Sequence, residues 1–463
     1  MVVLGLCWLV PSFPTIPQYG DTTEYIAFSQ TLKVDQYRGI VYPLVVRAST
    51  GLGDMVGLRF TSILFALQIL LQAGSAFLFA LVVGGKLSRA SGGKLPVRHA
   101  LAAALVVAMN PLSLHFAVSV LPDALATSFV MILLTVMVLA ADRASGLQRF
   151  AFWILCAGLV TLVLSGLRLE KLYLAVLVLA VFLAVLAARF TRRAWKPAAF
   201  RILCLLVLVS TAVGGAALIK RATTVEDRTR PALNVDNAIF NRVVWPRLAR
   251  TRAFLPEPIR SSLTAEQAAT FDSHNNNVMP FQAEALNDPA KGPAYLRSIS
   301  SVAFQHFYGR IIARTAYDFA KYLFPGIYFP LEAVGVLPES AATSWTISRA
   351  AAPCPQITAA YFAVGSILFL LLMGLGAARI LRAVRDPQGR PALVLIAACI
   401  VGNALMFALE SGMDAHVRYA LPQYTLTFEM ALLLVLAANP ALAGTARGAV
   451  PAKISHMHAA ESS

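Results

Sequence analysis

The sequence predicts an all-α polytopic membrane protein with about ten transmembrane helices, extracytoplasmic juxtamembrane helices and one long extracytoplasmic loop domain. Three observations carry this. Of the 463 residues, 58% are hydrophobic and only 13% are charged, and the mean hydropathy of +0.68 exceeds what a soluble domain of this length needs. Apolar runs of about twenty residues recur along the chain, the length a helix needs to cross about 30 Å of hydrocarbon. Basic residues collect in alternate short loops, the charge bias of cytoplasmic connections.

The elements follow in order. Met1 to Val10 is apolar but only about half a membrane span, with no basic n-region and no small-residue cleavage site. That argues against a signal peptide, and leaves a short re-entrant piece or a first span whose start is cut. Further spans are expected at 58–84, 99–119, 122–141, 150–167, 171–189, 201–219, 358–381, 391–410 and 418–438. The chain then divides into an N-terminal transmembrane bundle (1–219) carrying a first extracytoplasmic loop (13–56), a loop domain (220–356), C-terminal transmembrane helices (357–440) and a disordered cytoplasmic tail (441–463).

Loop charge sets the orientation. One set of loops carries Lys86, Arg89, Lys94 and Arg98, then Arg143 and Arg149. Arg189, Arg192, Arg193, Lys196 and Arg201 follow, then Arg379, Arg382, Arg385 and Arg390. Only Asp142 and Asp386 oppose them in the same loops. These loops belong in the cytoplasm, and the alternate loops, short and of mixed charge, belong outside. The net charge of +16 therefore reflects topology, and nucleic acid is not a partner. The five cysteines are scattered, without a CxxC pair or a zinc-like Cys/His spacing, so neither a disulfide framework nor a metal site is implied.

Two long segments fall outside the cytoplasm. Residues 13–56 hold the acidic, aromatic stretch Asp21-Thr22-Thr23-Glu24-Tyr25 and are expected to form two short helices on the membrane. Residues 220–356 are too long for a connector. Their end, from Tyr295 to Tyr322, places Leu296, Ile299, Phe304, Phe307, Ile311 and Phe319 near helical spacing. Arg310 and Arg314 interrupt that run, so it reads as an interfacial helix. Phe271 to Asn277 offers groups that can meet sugar hydroxyls, although an Asn-rich turn is the plainer reading.

Four polar clusters fall on the extracytoplasmic side: Asp21/Glu24/Arg38, Asp123, Arg168/Glu170, and Asp414/His416/Arg418/Tyr419. Each has a plain explanation. Asp21 and Glu24, three apart on one helix face, form a capping box, and Asp123 can cap the helix that follows it. Arg168 and Glu170 make a turn, and Arg418 can snorkel to the interface. Helix ends on one side of a bundle nevertheless converge, and no comparable cluster lies within a span. No phosphate-binding Gly-rich loop, dinucleotide fingerprint or HExxH is present, so nucleotide hydrolysis and zinc proteolysis lack support. Carboxylates beside arginines at the outer surface suit a lipid phosphate as leaving group. Arginines grip phosphate bidentately, and a carboxylate deprotonates an acceptor hydroxyl.

These residues carry a resemblance to the GT-C superfamily of polytopic glycosyltransferases, especially the bacterial relatives of protein O-mannosyltransferases and aminoarabinose transferases. Asp21-Thr22-Thr23-Glu24-Tyr25 is similar to the family's acidic first-loop helix, and Arg38 with Val41-Tyr42-Pro43 to its "R…YP" second helix. Leu121-Pro122-Asp123 resembles its acidic position at the fourth span. Ser165-Gly166-Leu167-Arg168-Leu169-Glu170 is similar to the "TRPE"-like turn, with Leu169 in place of the proline. His416-Val417-Arg418-Tyr419-Ala420-Leu421-Pro422 resembles the "RYxLP" start of the last helix. The order of these motifs covers about residues 1–440. The family's adjacent Asp-Glu pair is spread here to Asp21 and Glu24.

The resemblance implies an enzyme of the bacterial inner (plasma) membrane that moves a sugar, hexosyl or pentosyl, from a polyprenyl-phosphate donor to an extracytoplasmic acceptor. Asp21 is then the base, with Glu24 as second choice. Arg38, Arg168, Arg418 and Tyr419 hold the donor phosphate, and Tyr25, Tyr42, Asp123, Glu170 and His416 meet substrate. No cofactor is required by this reading, and a divalent cation is compatible with it. Two other classes remain open. A lipid-linked-sugar flippase would place ionisable groups or helix breaks near the membrane midplane, where Asn110-Pro111 and His115 are the main break. A non-catalytic cell-envelope assembly protein would act through its large loop.

Overall fold

The computed structural model describes residues 1–12, 20–34, 38–90, 95–141, 146–168, 170–187, 195–224, 252–255, 257–262, 292–328, 348–349, 351–352, 354–385, 390–410 and 417–437. The described elements are helical, and the β-pairing among them is limited to two isolated bridges, Val34 with Thr224 and Arg38 with Arg168. In chain order the main helices are α1 (Val2–Ser12), α2 (Gly20–Thr31), α3 (Val41–Val56), α4 (Phe60–Phe79), α5 (Val97–Ala108), α6 (Pro111–Ala117) and α7 (Asp123–Ala140). They continue with α8 (Leu147–Leu167), α9 (Glu170–Ala187), α10 (Trp195–Thr223), α11 (Gly292–Leu323), α12 (Pro355–Arg385), α13 (Arg390–Glu410) and α14 (Leu421–Ala437).

Of the ten spans expected from the sequence, the structure supports seven to eight by length and apolarity, because 99–119 is a bent pair and two of the expected segments are short. Among the described residues, seven helices are long and apolar enough to cross a membrane, and the bent pair α5–α6 makes up to eight. The apolar parts of α1 and α9, Val2–Pro11 and Lys171–Leu186, are shorter. Both short helices in 13–56 are present as α2 and α3. The segment Tyr295–Tyr322, expected to be helical, lies in α11, kinked at Phe307. Pro325–Tyr328 is helical, whereas Phe329, Pro330, Phe271–Asn277 and the tail after Pro440 lie outside the described residues.

The bend of 69° between α5 and α6 follows from Asn110-Pro111. A residue before proline is driven out of the α region, and Asn110 is extended (φ −72°, ψ 142°) while its side chain caps Leu112 N. A break inside a membrane helix frees backbone carbonyls that no water can satisfy. Tyr361 Oη donates to Met109 O at 2.5 Å. Gln68 Nε2 donates to Ala117 O at 2.9 Å and Ser119 O at 3.0 Å. Tyr361 thus satisfies a carbonyl at the break and Gln68 two at the far end of α6. Asn110 Nδ2 and Gln68 Oε1 are buried without a partner among the described residues, and His115 is fully buried beside the kink.

Two helices form the centre. The span windows of α7 and α14 are 83% and 78% buried, against 22% for peripheral α10. α7 packs on α4, α8 and α14, and α12 and α13 flank α14. Asp123 begins α7 and Arg418 lies in the 3-10 turn Val417–Ala420 that opens α14. The most enclosed helices therefore present both residues at the same end of the bundle, where α2 brings Asp21 to Arg418.

Candidate functional site

Helix α2 begins at Gly20, so Asp21 lies in its first turn, and arginines occupy both oxygens of its carboxylate. Arg38 Nη2 donates to Oδ1 at 2.8 Å and Arg418 Nη1 donates to Oδ2 at 2.7 Å. Arg38 also forms an ion pair with Glu24. Burial works to raise the Asp21 carboxyl, but Arg418 and Arg38 outweigh it and hold the group well below the usual carboxylate range. Asp21 is therefore a charged anchor between two cations.

A second pair lies beside the first and deeper. Arg168 Nη2 stands 3.1 Å from Asp123 Oδ1 and donates to Oδ2 at 3.2 Å, with both side chains buried. Asp123 thus begins α7 while its carboxylate serves Arg168, and Pro122 ahead of it makes no side-chain cap. Tyr419 joins the two pairs. Arg168 lies 5.0 Å and Arg418 4.8 Å from its ring centroid, and Arg418 Nη2 donates to its Oη at 2.9 Å. Phe407 stacks on the same ring at 4.8 Å, nearly parallel.

The backbone explains how the two arginines on separate elements meet. Arg38 pairs with Arg168 in an isolated antiparallel bridge. A Cβ on Gly39 would stand 2.0 Å from Gly166 O, and one on Gly166 would stand 2.3 Å from Val41 Cγ2. Only glycine at both positions lets the loop lie against the end of α8. Leu32, in the left-handed region at φ 54°, turns the chain out of α2 ahead of this crossing.

The structure brings together Asp21, Glu24, Arg38, Asp123, Arg168, Arg418 and Tyr419, drawn from five places in the sequence. Tyr25 and Tyr42 are fully enclosed and pack edge to face at 4.9 Å, with Arg38 5.6 Å from the Tyr25 ring. They form the floor beneath Arg38, and burial pushes both phenols up. Glu170 starts α9, but its side chain, like Asp414 and His416, lies outside the described residues.

Sequence reasoning overlooked several members. Lys171, buried at the start of α9, donates from Nζ to Asn403 Oδ1 at 2.8 Å and lies 4.6 Å from the Phe407 ring. A lysine at the edge of one apolar run and an asparagine inside another were the available signal. Gly39 and Gly166 gave none, because their requirement exists only across the contact. In α14, about three turns beyond Arg418, Glu429 is fully buried, and neither carboxylate oxygen has a hydrogen-bond partner among the described residues. Gln72 in α4 is likewise buried with both amide atoms unmatched. Among the described residues no group of three or more His, Cys, Asp and Glu side chains gathers to hold a metal ion.

The class of protein defined by this fold is an integral, polytopic α-helical membrane protein. No protein-family profile matches the chain, and no curated protein or solved structure is significantly similar to it.

Proposed function

We propose that the protein is a membrane glycosyltransferase that moves a sugar from a polyprenyl-phosphate-linked donor to an extracytoplasmic lipid, glycan or protein acceptor. The observation that carries this reading is the convergence of Arg38, Arg168 and Arg418 with Asp21 and Asp123 at one end of the bundle. That end lies opposite the basic loops, so in the bacterial inner membrane it faces away from the cytoplasm. A lipid donor reaches it from the bilayer and needs no nucleotide.

The chemistry divides between the two kinds of group. The Asp21 carboxylate takes the proton of an acceptor hydroxyl as that oxygen bonds to the anomeric carbon. The bond from that carbon to the phosphate oxygen breaks, and its electron pair leaves on the phosphate. Arg38 and Arg418 meet the charge that develops there, with Arg168 behind them. Tyr419 holds two of the guanidiniums in place. The test is transfer from a polyprenyl-phosphate sugar by the purified protein in liposomes, with mass analysis of envelope glycans after deletion of the gene. Absent transfer together with unchanged glycans overturns the reading.

Flipping of a lipid-linked sugar is the second reading. It draws on Glu429 buried within a span and on the break at Asn110-Pro111, since ionisable groups inside membranes mark transport pathways. The charged groups gather at the bundle end, not at the break, which favours the transferase.

A further inference from the structure

Asp21 uses only part of the binding capacity of its partners. Each oxygen accepts a single N–H, one from Arg38 and one from Arg418, so neither guanidinium presents its two-pronged fork to the carboxylate. Arg418 Nη2 turns to Tyr419 Oη, and its Nε is buried with no hydrogen-bond partner among the described residues. A buried guanidinium N–H left unmatched is costly. A tetrahedral oxyanion, with three or more oxygens pointing in different directions, can offer each guanidinium more than the single acceptor that Asp21 gives it. The two cations and the carboxylate between them are thus arranged for exchange of one anion for another.

We propose that Asp21 is a built-in competitor for the anion the site takes: a phosphate-ester oxyanion binds by drawing Arg38 and Arg418 away from the Asp21 carboxylate, which is freed to accept a proton only once the phosphate is seated. The proposal rests on the phosphate reading of the site. It resolves a difficulty in that reading, because a carboxylate clamped by two arginines is a weak base. Loss of the arginines to phosphate restores its basicity beside the acceptor, and acceptor activation waits on the donor. The ligand chemistry is a phosphate oxyanion, borne by a polyprenyl lipid or free in solution.

The experiment measures binding of a polyprenyl monophosphate, and separately of inorganic phosphate, to the full chain in nanodiscs. Wild type is compared with Asp21→Asn, Asp21→Ser and Arg418→Gln. Removing the competitor is expected to tighten phosphate binding at least about tenfold, since two charge-assisted hydrogen bonds no longer oppose it. Arg418→Gln is expected to weaken it. The same gain in Asp21→Ser guards against a folding defect peculiar to Asp21→Asn. A gain for the polyprenyl compound identifies a lipid-borne ligand, and a gain for inorganic phosphate alone identifies a free one. If wild type binds but both Asp21 variants bind no more tightly, the competition is overturned and the phosphate reading stands. If neither wild type nor any variant binds either probe, the phosphate reading falls as well.

Discussion

Arg418 donates from Nη1 to Asp21 Oδ2 at 2.7 Å across 397 positions of sequence. One ion pair thus ties the first loop to the opening of the last helix. Asp21→Asn keeps the shape of the side chain and removes its negative charge. Transfer is expected to fall by ~10²–10⁴, the usual weight of general-base assistance, while membrane level is kept. The measurement is the rate of sugar transfer at saturating donor, and wild-type rates in Asp21→Asn would leave Asp21 a structural anchor only.

Arg418→Lys is expected to raise the donor concentration needed for half-maximal transfer, with little loss of expression. Lysine keeps the charge but not the planar fork that spans Asp21 and Tyr419. Unchanged donor dependence in both Arg418→Lys and Arg418→Ala would reduce Arg418 to a snorkelling residue.

The Arg168–Asp123 pair is expected to act first on stability. Both side chains are buried, so Arg168→Ala strands a carboxylate, at a cost of about 3–5 kcal/mol. The double variant Arg168→Met/Asp123→Leu removes both charges and is expected to recover most of that loss in thermal unfolding in detergent. Equal melting temperatures for the single variant and wild type would contradict the burial.

Gly39→Ala forces a methyl to 2.0 Å from Gly166 O, whereas a Cβ on Gly51 meets nothing within 4 Å. Gly39→Ala is expected to lower the melting temperature, because overpacking of this kind costs about 1–3 kcal/mol or more. It should also reduce transfer by displacing Arg38. Gly51→Ala, inside α3, should leave both unharmed or gain stability from helix propensity. Parallel behaviour of the two variants would show that the crossing at Gly166 is not tight.

Ser273→Cys is expected to react with a membrane-impermeant thiol reagent in intact cells, in excess of the wild-type cysteine background. On the proposed topology, with fifteen cations in the opposite loops, 220–356 lies outside. Reaction only after permeabilisation would reverse the topology and remove the lipid-donor site from the outer face.

Glu429→Leu removes a buried carboxyl that has no partner among the described residues. Under the transferase reading, transfer persists and stability holds or rises, since an unpaired buried polar group is a liability. Loss of activity in both Glu429→Leu and Glu429→Gln, with the fold intact, would instead favour transport through the bundle.

The sequence alone determined the helical membrane class, the positions of the apolar segments, the two short helices α2 and α3, and the grouping of Asp21, Asp123, Arg168 and Arg418 at helix ends on one side. Those properties are local: a run of apolar residues and the charge of the loop beside it are written in adjacent positions. The tertiary structure decided which charge meets which. Asp21 pairs with Arg418 and Arg38, Asp123 turns from helix capping to Arg168, and Tyr25 and Tyr42 pack edge to face beneath Arg38. It also separated seven long spans and a bent pair from the short α1 and α9, and it buried Lys171 and Glu429. Contacts between helices depend on rotation and depth in the bundle, set by close packing such as Gly39 on Gly166, and no run of neighbouring residues encodes them.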